Sequence, residues 1–245
     1  MENDWFKDWF SSEEYNIVYA HRDTNDAQKI IDLIISTLNL NTNHYLLDAP
    51  CGSGRHLQYL SSLGFNVVGF DLSLPFLIQA KNNIVKINSK PLLFRSDIRK
   101  VGLKKKFDSI LNLFTSFGYF LDDEENFAFP KNAYDLLQTN GYFVLDYINR
   151  NFLTRNLLPY SFKEINGLKV EEKREIKSSR VIKSISITNA FETKRFYESV
   201  KLYPKDFILE RFASFGYSLI RIFGDYDGNS FNEETSERLI MIFQK

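Results

Sequence analysis

Cysteine occurs once in these 245 residues, at position 51, so no internal disulfide can staple the chain, and a reducing compartment is expected. No uncharged apolar run reaches the roughly 18 residues a spanning helix needs, which argues against a membrane segment. The opening MENDWFKDWF carries acids and aromatics where a secretory leader would place basic residues ahead of an apolar stretch, so no signal peptide is expected. Neither sign of charge is in excess. The 31 Lys and Arg balance 31 Asp and Glu, which gives no push toward nucleic acid as partner. Linkers rich in Pro, Gly or Ser are missing as well. With 44% hydrophobic residues, the chain reads as one domain over 1–245 with a single sizeable core. A soluble, cytoplasmic protein without a metal site is the expectation.

Aromatic residues, by contrast, are abundant: 23 Phe, 13 Tyr and 2 Trp. Most should fill the core, and a few could wall a pocket for an apolar or cationic ligand. They are dense in residues 1–24, an N-terminal aromatic arm with Trp5, Phe6, Trp9, Phe10, Tyr15 and Tyr19 but no clean periodicity.

Beyond the arm, strand and helix patterns alternate. Ala27, Ile30, Ile31, Ile34 and Leu38 lie at helical spacing within 26–40. Strands are expected at 45–49, 66–71, 91–95, 107–114 and 142–146, with helices at 55–63, from Ser73 to about 88, and at 124–138. Such repeats imply a parallel sheet with right-handed crossovers. After Arg150 the pattern turns to apolar–polar alternation, with turn signals at Asn166-Gly167 and Ser178-Ser179. About three antiparallel strands are expected in this β-rich insertion, 151–202. A helix from Pro204 to 215 and two strands, 217–223 and 237–244, follow.

The most informative stretch is Tyr45–Asp71, YLLDAPCGSGRHLQYLSSLGFNVVGFD. A buried strand delivers Asp48, and the turn Pro50-Cys51-Gly52-Ser53-Gly54 lets a ligand touch bare backbone. The helix from Arg55 then points its N-terminal amides at the same spot. Asp71 ends the neighbouring strand, where a carboxylate can accept two ribose hydroxyls. Two details turn the reading away from NAD. Leu57 stands where a dinucleotide fingerprint has its third glycine, and Asp48 puts a negative charge where a pyrophosphate would lie. No Gly-Lys-Ser/Thr follows, so the phosphate-loop reading fails. A sulfonium and ammonium cofactor bearing a ribose fits better.

The runs Asp48-Ala49-Pro50-Cys51-Gly52-Ser53-Gly54-Arg55-His56 and Val68-Gly69-Phe70-Asp71-Leu72-Ser73 resemble the class I S-adenosylmethionine-dependent methyltransferases. The closest likeness is to small-molecule enzymes such as the amino-sugar N-methyltransferases. Pro50 departs from the usual first glycine of that motif. The resemblance implies a Rossmann-like α/β fold: a seven-stranded, mostly parallel sheet whose last strand is antiparallel, helices on both faces, and the β insertion after the fifth strand as a lid.

It also implies site residues. Asp48 would balance the cofactor's amino group, with Ala49, Pro50, Cys51, Gly52 and Gly54 forming the loop around its methionine and ribose. Asp71 would take the ribose hydroxyls and Leu72 pack on the adenine. Asp97 would accept from the adenine amino group beside Ile98, and Leu113 and Phe114 would border the methionine arm. From the arm, Tyr19 or Arg22 would grip the carboxylate. Arg55 either reaches that carboxylate or pairs with a surface acid. Methyl transfer from a sulfonium is in-line displacement that asks mainly for positioning, so catalytic candidates are weak: Tyr119, Tyr147 and His56. Tyr119, Asp146, Tyr147, Asn149 and Arg150 follow the fourth and fifth strands and are expected to face the cleft.

The partner is expected to be a small methyl acceptor, with no stated oligomeric state. An RNA or protein methyltransferase and a non-catalytic nucleoside-binding protein are the alternatives. Against the first, residues 112–115 read Asn-Leu-Phe-Thr rather than the Asn/Asp-Pro-Pro-Tyr of base-amino methylation. Replacing Asp71 by Ala should abolish most affinity for S-adenosylmethionine in a calorimetric titration; unchanged binding would reject the ribose role.

Overall fold

Leu46, Leu47, Ile110 and Leu111 are fully buried, as expected of parallel strands covered on both faces. In the computed structural model, which describes residues 4–19, 24–85 and 91–245, their strands are neighbours in the middle of a sheet. Helices α1 (Trp5–Trp9), α2 (Glu13–Val18) and α3 (Thr24–Leu38) come first. Then follow β1 (Tyr45–Asp48), α4 (Arg55–Ser62), β2 (Asn66–Asp71), α5 (Leu74–Val85), β3 (Leu92–Arg95), β4 (Phe107–Asn112), α6 (Asp123–Leu136) and β5 (Leu137–Ile148). After α7 (Arg150–Asn156) come β6 (Tyr160–Ile165), β7 (Leu168–Lys177), β8 (Arg180–Thr188) and β9 (Thr193–Lys201). The last elements are α8 (Lys205–Ser214), β10 (Ser218–Phe223) and β11 (Arg238–Gln244).

The main sheet has seven strands in the order β10-β11-β5-β4-β1-β2-β3. Only β11 runs against the rest, pairing antiparallel with both β5 and β10. Successive side chains along a strand point to opposite faces, and the helices use both. Leu46, Val67, Leu111 and Val144 pack with Ile30, Ile31 and Ile34 of α3 and with Leu57 and Leu60 of α4. Leu47, Phe70, Ile110 and Phe143 face Phe127 and Phe129 of α6 and Phe212 of α8. The expected α/β sheet, with its antiparallel last strand, is the observed one.

Three features differ from expectation. The β-rich insertion is a separate sheet of four strands, β6-β7-β8-β9, rather than about three. Asn166-Gly167 and Ser178-Ser179 have positive φ at both positions (52° and 78°, 51° and 55°), the requirement of a two-residue hairpin turn. The unforeseen third turn is made by Asn189, whose Oδ1 accepts from the amides of Phe191 (2.8 Å) and Glu192 (2.9 Å). The arm, second, is not irregular: α1 and α2 are short helices, and Ser12 Oγ caps α2 by accepting from the Tyr15 amide at 3.2 Å. Third, α7 lies between β5 and the insertion, with Asn149 as its cap.

Leu57, which displaces the third glycine of a dinucleotide motif, is accommodated from the other side. A Cβ on Gly69 of β2 would lie 2.4 Å from Leu57 Cδ1 and 3.1 Å from Cys51 Cβ and Sγ. The strand gives up its side chain so that α4 and the loop before it can approach. Gly69→Ala should therefore destabilise the protein by about 1–3 kcal/mol through overpacking. A urea-denaturation midpoint equal to the parent's would contradict this account.

Candidate functional site

In an open α/β sheet a crevice forms at the carboxyl edge where the strand order reverses. Here that point is β1, whose neighbours are β4 on one side and β2 on the other. A cavity of about 480 Å³ opens there, within the usual range for small-molecule sites.

The loop after β1 is built by backbone pairing. Ala49 N–H donates to the Leu111 carbonyl and Cys51 N–H to the Phe70 carbonyl, both at 2.8 Å, tying the loop to β4 and β2. Gly52 and Gly54 have φ of +52° and +83°, left-handed values that glycine adopts without steric cost. Gly54 also sits where a Cβ would come within 2.7 Å of Ala80 Cβ on α5, so both helices can close on the loop.

Acids at the strand ends meet this loop in two ways. Asp71 is turned inward: its Oδ2 accepts from the Gly52 amide (2.9 Å) and its Oδ1 from the Ser73 amide (2.8 Å). Burial raises its carboxyl, and those amides counter the rise. Asp48, at the end of β1, is fully buried, and neither oxygen has a well-formed hydrogen bond. Burial first, and then the charge of Asp71, push its carboxyl up to about 8, against smaller opposing contributions from the Leu57 amide and Arg55. Asp97 is already paired. It caps a short 3₁₀ turn, Ile98–Lys100, and accepts from the Arg99 amide (2.9 Å) and from Arg99 Nε and Nη2 (3.0 and 2.7 Å). Burial would raise this carboxyl, but Arg99 outweighs it and holds it below its ordinary value.

The cavity is lined by Tyr19, Pro50, Cys51, Gly52, Asp71, Leu72, Asp97, Ile98, Leu113 and Phe114, together with Arg55, His56 and Tyr119. Asp48, Ala49 and Gly54 lie outside its lining; the first two are fully buried, and Gly54 serves the packing described above. Arg22 lies outside the described residues. Burial, and then the nearby Arg55, lower the His56 imidazole to about 3, and its Nε2 has no partner. Its ring sits 5.2 Å from that of Phe114, with the Arg55 guanidinium 4.6 Å from the same ring's centre.

Four residues expected at the cleft do not line it. Tyr147 is fully buried, donating its hydroxyl to the Lys201 carbonyl and accepting from the Tyr203 amide at 3.3 Å. Burial pushes its phenol up. Asn149 caps α7 and donates to the Glu233 and Ser236 carbonyls at 3.0 and 2.7 Å. Arg150 begins α7, and Asp146 is buried against Arg238 (2.7 Å). Asp146, Tyr147 and Asn149, at and just past the end of β5, are thus consumed in joining it to β11, to β9 and to the β10–β11 connection.

What sequence reasoning does not find is the aromatic wall: Phe6, Phe10, Phe76 and Phe120 also line the cavity. The one available signal was the density of aromatics in the arm. Phe10 holds its place because its carbonyl accepts from Ser73 Oγ at 2.8 Å, two residues past Asp71. On its far side the arm is pinned to the second sheet. Trp9 Nε1 and the Tyr19 hydroxyl both donate to Glu198 Oε1, at 2.6 and 2.5 Å, and Lys183 pairs with Glu198 at 3.0 Å.

Residues 46–141 match a family model described as a methyltransferase domain. A dTDP-3-amino-3,4,6-trideoxy-alpha-D-glucopyranose N,N-dimethyltransferase of Streptomyces venezuelae is 27% identical over 135 residues, 54% of each protein. A probable S-adenosyl-L-methionine-dependent methyltransferase TehB of Haemophilus influenzae is 30% identical over 139 residues, 56% of this chain and 43% of its own. The chain spans about half the length of the curated relatives it matches. A crystal structure of an S-adenosylmethionine-dependent methyltransferase from Clostridium acetobutylicum superposes with a TM-score of 0.80 at 21% identity, covering 94% of this chain and 96% of its own; at that identity the likeness is one of fold. Among the described residues no helix is long and apolar enough to cross a membrane.

Asp48 yields a pH test. Its folded-state value, about 8, lies above the 3.8 of an ordinary Asp carboxyl, so the folded state holds the proton longer. That contribution is complete below about pH 4 and is lost as pH rises toward 8, at roughly 1.4 kcal/mol per unit. Asp48→Asn keeps the neutral shape without titrating. Its melting temperature, minus the parent's, should climb steadily between about pH 5 and pH 8 in ligand-free protein. A flat difference would mean that Asp48 is ionised throughout.

Proposed function

We propose that this protein, whose residues 46–141 match a methyltransferase-domain model, uses S-adenosylmethionine to methylate a nitrogen or oxygen of a small molecule. The observation that carries this reading is the unpartnered, fully buried Asp48 at the loop that opens the cavity. A buried carboxylate without donors is costly unless a cation joins it, and the cofactor's amino group is such a cation. A pyrophosphate there would bring no cation and would only strengthen the carboxyl's hold on its proton. Asp71 suits a ribose diol, since each oxygen already accepts one backbone amide and a carboxylate has about four acceptor positions.

On this reading Asp48 balances the amino group, directly or through water, Gly52 and the loop from Ala49 to Gly54 approach the methionine and ribose, and Asp71 holds the ribose. Leu72 and Ile98 flank the adenine, and Asp97 accepts from its amino group. Leu113 and Phe114 border the methionine arm, and Tyr19 closes the arm side. Bound S-adenosylmethionine would supply a methyl already activated as a sulfonium. The chain's own work is then to orient both partners and exclude water, which the wall of Phe6, Phe10, Phe76 and Phe120 favours.

Of the three catalytic candidates, Tyr147 is tied into the fold. His56 stays neutral at physiological pH and, with an imidazole near 3, is a feeble base. Tyr119 lines the cavity, and we assign it to the acceptor side without a general-base role. Arm and insertion, 1–24 and 151–202, act as cover and lid of one methyltransferase unit, 1–245. The Streptomyces relative, named for N,N-dimethylation of an amino sugar, supports an N-directed, small acceptor. Zero net charge favours that over an RNA, and a cytoplasmic setting suits the single free cysteine.

S-adenosylmethionine and S-adenosylhomocysteine should each stabilise the protein in a thermal-shift assay. At a hundredfold excess over Kd the gain is about 2.7 kcal/mol, several degrees for a chain of this size. NAD and ATP should leave the melting temperature unchanged. No shift with either adenosyl compound would sink the reading.

A further inference from the structure

Phe114 and Thr115, directly after β4, both adopt left-handed backbone, with φ of 54° and 61°. Neither is a glycine, and Thr is β-branched, so such a pair persists only where its surroundings hold it. The surroundings here are a single carboxylate. Asp146 Oδ2 accepts from the Phe114 amide at 2.9 Å, and the Asp146 carbonyl accepts from the Thr115 amide at 3.0 Å. Arg238 donates from Nε and Nη2 to Asp146 Oδ1, at 2.8 and 2.7 Å, and from Nη2 to Thr115 Oγ1 at 2.9 Å. Tyr226 donates its hydroxyl to Asp146 Oδ2 at 3.0 Å, while its ring stacks on that of Phe114 at 5.7 Å and 22°.

This group lies outside the cavity lining, yet everything it grips is one turn, and the ring that turn presents lines the cavity beside Arg55 and His56. We infer that Asp146, Arg238 and Tyr226 are positioning residues: they lock the Phe114–Thr115 turn so that the Phe114 ring shapes the part of the cavity that takes the cofactor's amino-acid arm. Their three elements explain the choice of residues. Asp146 is on β5, beside β4 in the sheet; Arg238 begins β11, whose register sets it opposite Ile148; Tyr226 comes from the connection between β10 and β11. The antiparallel end of the sheet thereby reaches the binding site without supplying a residue to its lining.

The inference rests on the S-adenosylmethionine reading, and its test separates the two. S-adenosylhomocysteine carries the amino-acid arm and adenosine does not, so their affinities, by calorimetry and saturation-transfer NMR, report on different ends of the site. Asp146→Asn, which keeps shape while removing the carboxylate's charge, should weaken S-adenosylhomocysteine at least about tenfold and change adenosine less than about twofold. If Asp146→Asn does not fold, Tyr226→Phe serves, with an expected loss of about threefold for S-adenosylhomocysteine alone. Equal losses for both ligands, or no loss for either, would overturn the positioning role while leaving the cofactor reading intact. A parent protein that binds neither ligand would overturn both.

Discussion

A carboxylate moved out of water must find a cation or several donors, or else hold its proton. The carboxyl edge of this sheet answers that demand three ways. Asp146 has an internal cation, Arg238, and a second donor in Tyr226. Asp71 has only backbone amides, those of Gly52 and Ser73, and its carboxyl is raised in spite of them. Asp48 has no well-formed partner, and its carboxyl is raised to about 8. The fold therefore spends its own donors on Asp146, as on Asp97 just past the end of β3, and withholds them from Asp48 on the central β1.

That arrangement depends on close packing underneath. The loop from Ala49 to Gly54 reaches Asp71 because β2 has no side chain at Gly69, and α4 and α5 close on it because Gly54 lets Ala80 come near. A dinucleotide site obtains closeness from a third glycine on the helix. Here the glycine is on the strand and the leucine on the helix, and the leucine fills the space the glycine leaves. The left-handed residues Phe114 and Thr115, each costing on the order of 1–2 kcal/mol, are held by the Asp146 cluster, and the first of them lines the cavity.

The arm, which walls the cavity, packs against the second sheet. Their junction is largely aromatic, with Trp9 against Phe196 at 4.5 Å between ring centres. At its heart is a charged group in which Glu198 takes Trp9, Tyr19 and Lys183. Burial alone would raise Glu198; Lys183 and the two donors outweigh it and hold the carboxyl below its ordinary value. The insertion is thereby bound to the segment that walls the cavity.

Periodicity and local chemistry in the sequence were enough for the alternating strands and helices of a parallel sheet, the glycine turn and the acid that ends β2, while the count of seven strands and the antiparallel last one came from the resemblance. The first three depend on neighbours in the chain: apolar runs, a turn residue, a strand end. Most of the loop and strand-end residues that line the cavity were named through the resemblance, and they meet there because strand ends in a parallel sheet converge by topology. Contacts between distant segments were not legible in the sequence. Nothing local distinguishes Asp146, which is paired, from Asp48, which is not; the difference is Arg238, 92 residues from Asp146. Tyr147, Asn149 and Arg150 sit at a strand end too, yet β9, α7 and the β10–β11 connection engage the first two, and Arg150 opens α7. The aromatic wall required the arm to fold back across some sixty residues to Ser73. Side-chain pairing is decided by three-dimensional proximity, and only the tertiary structure supplies it.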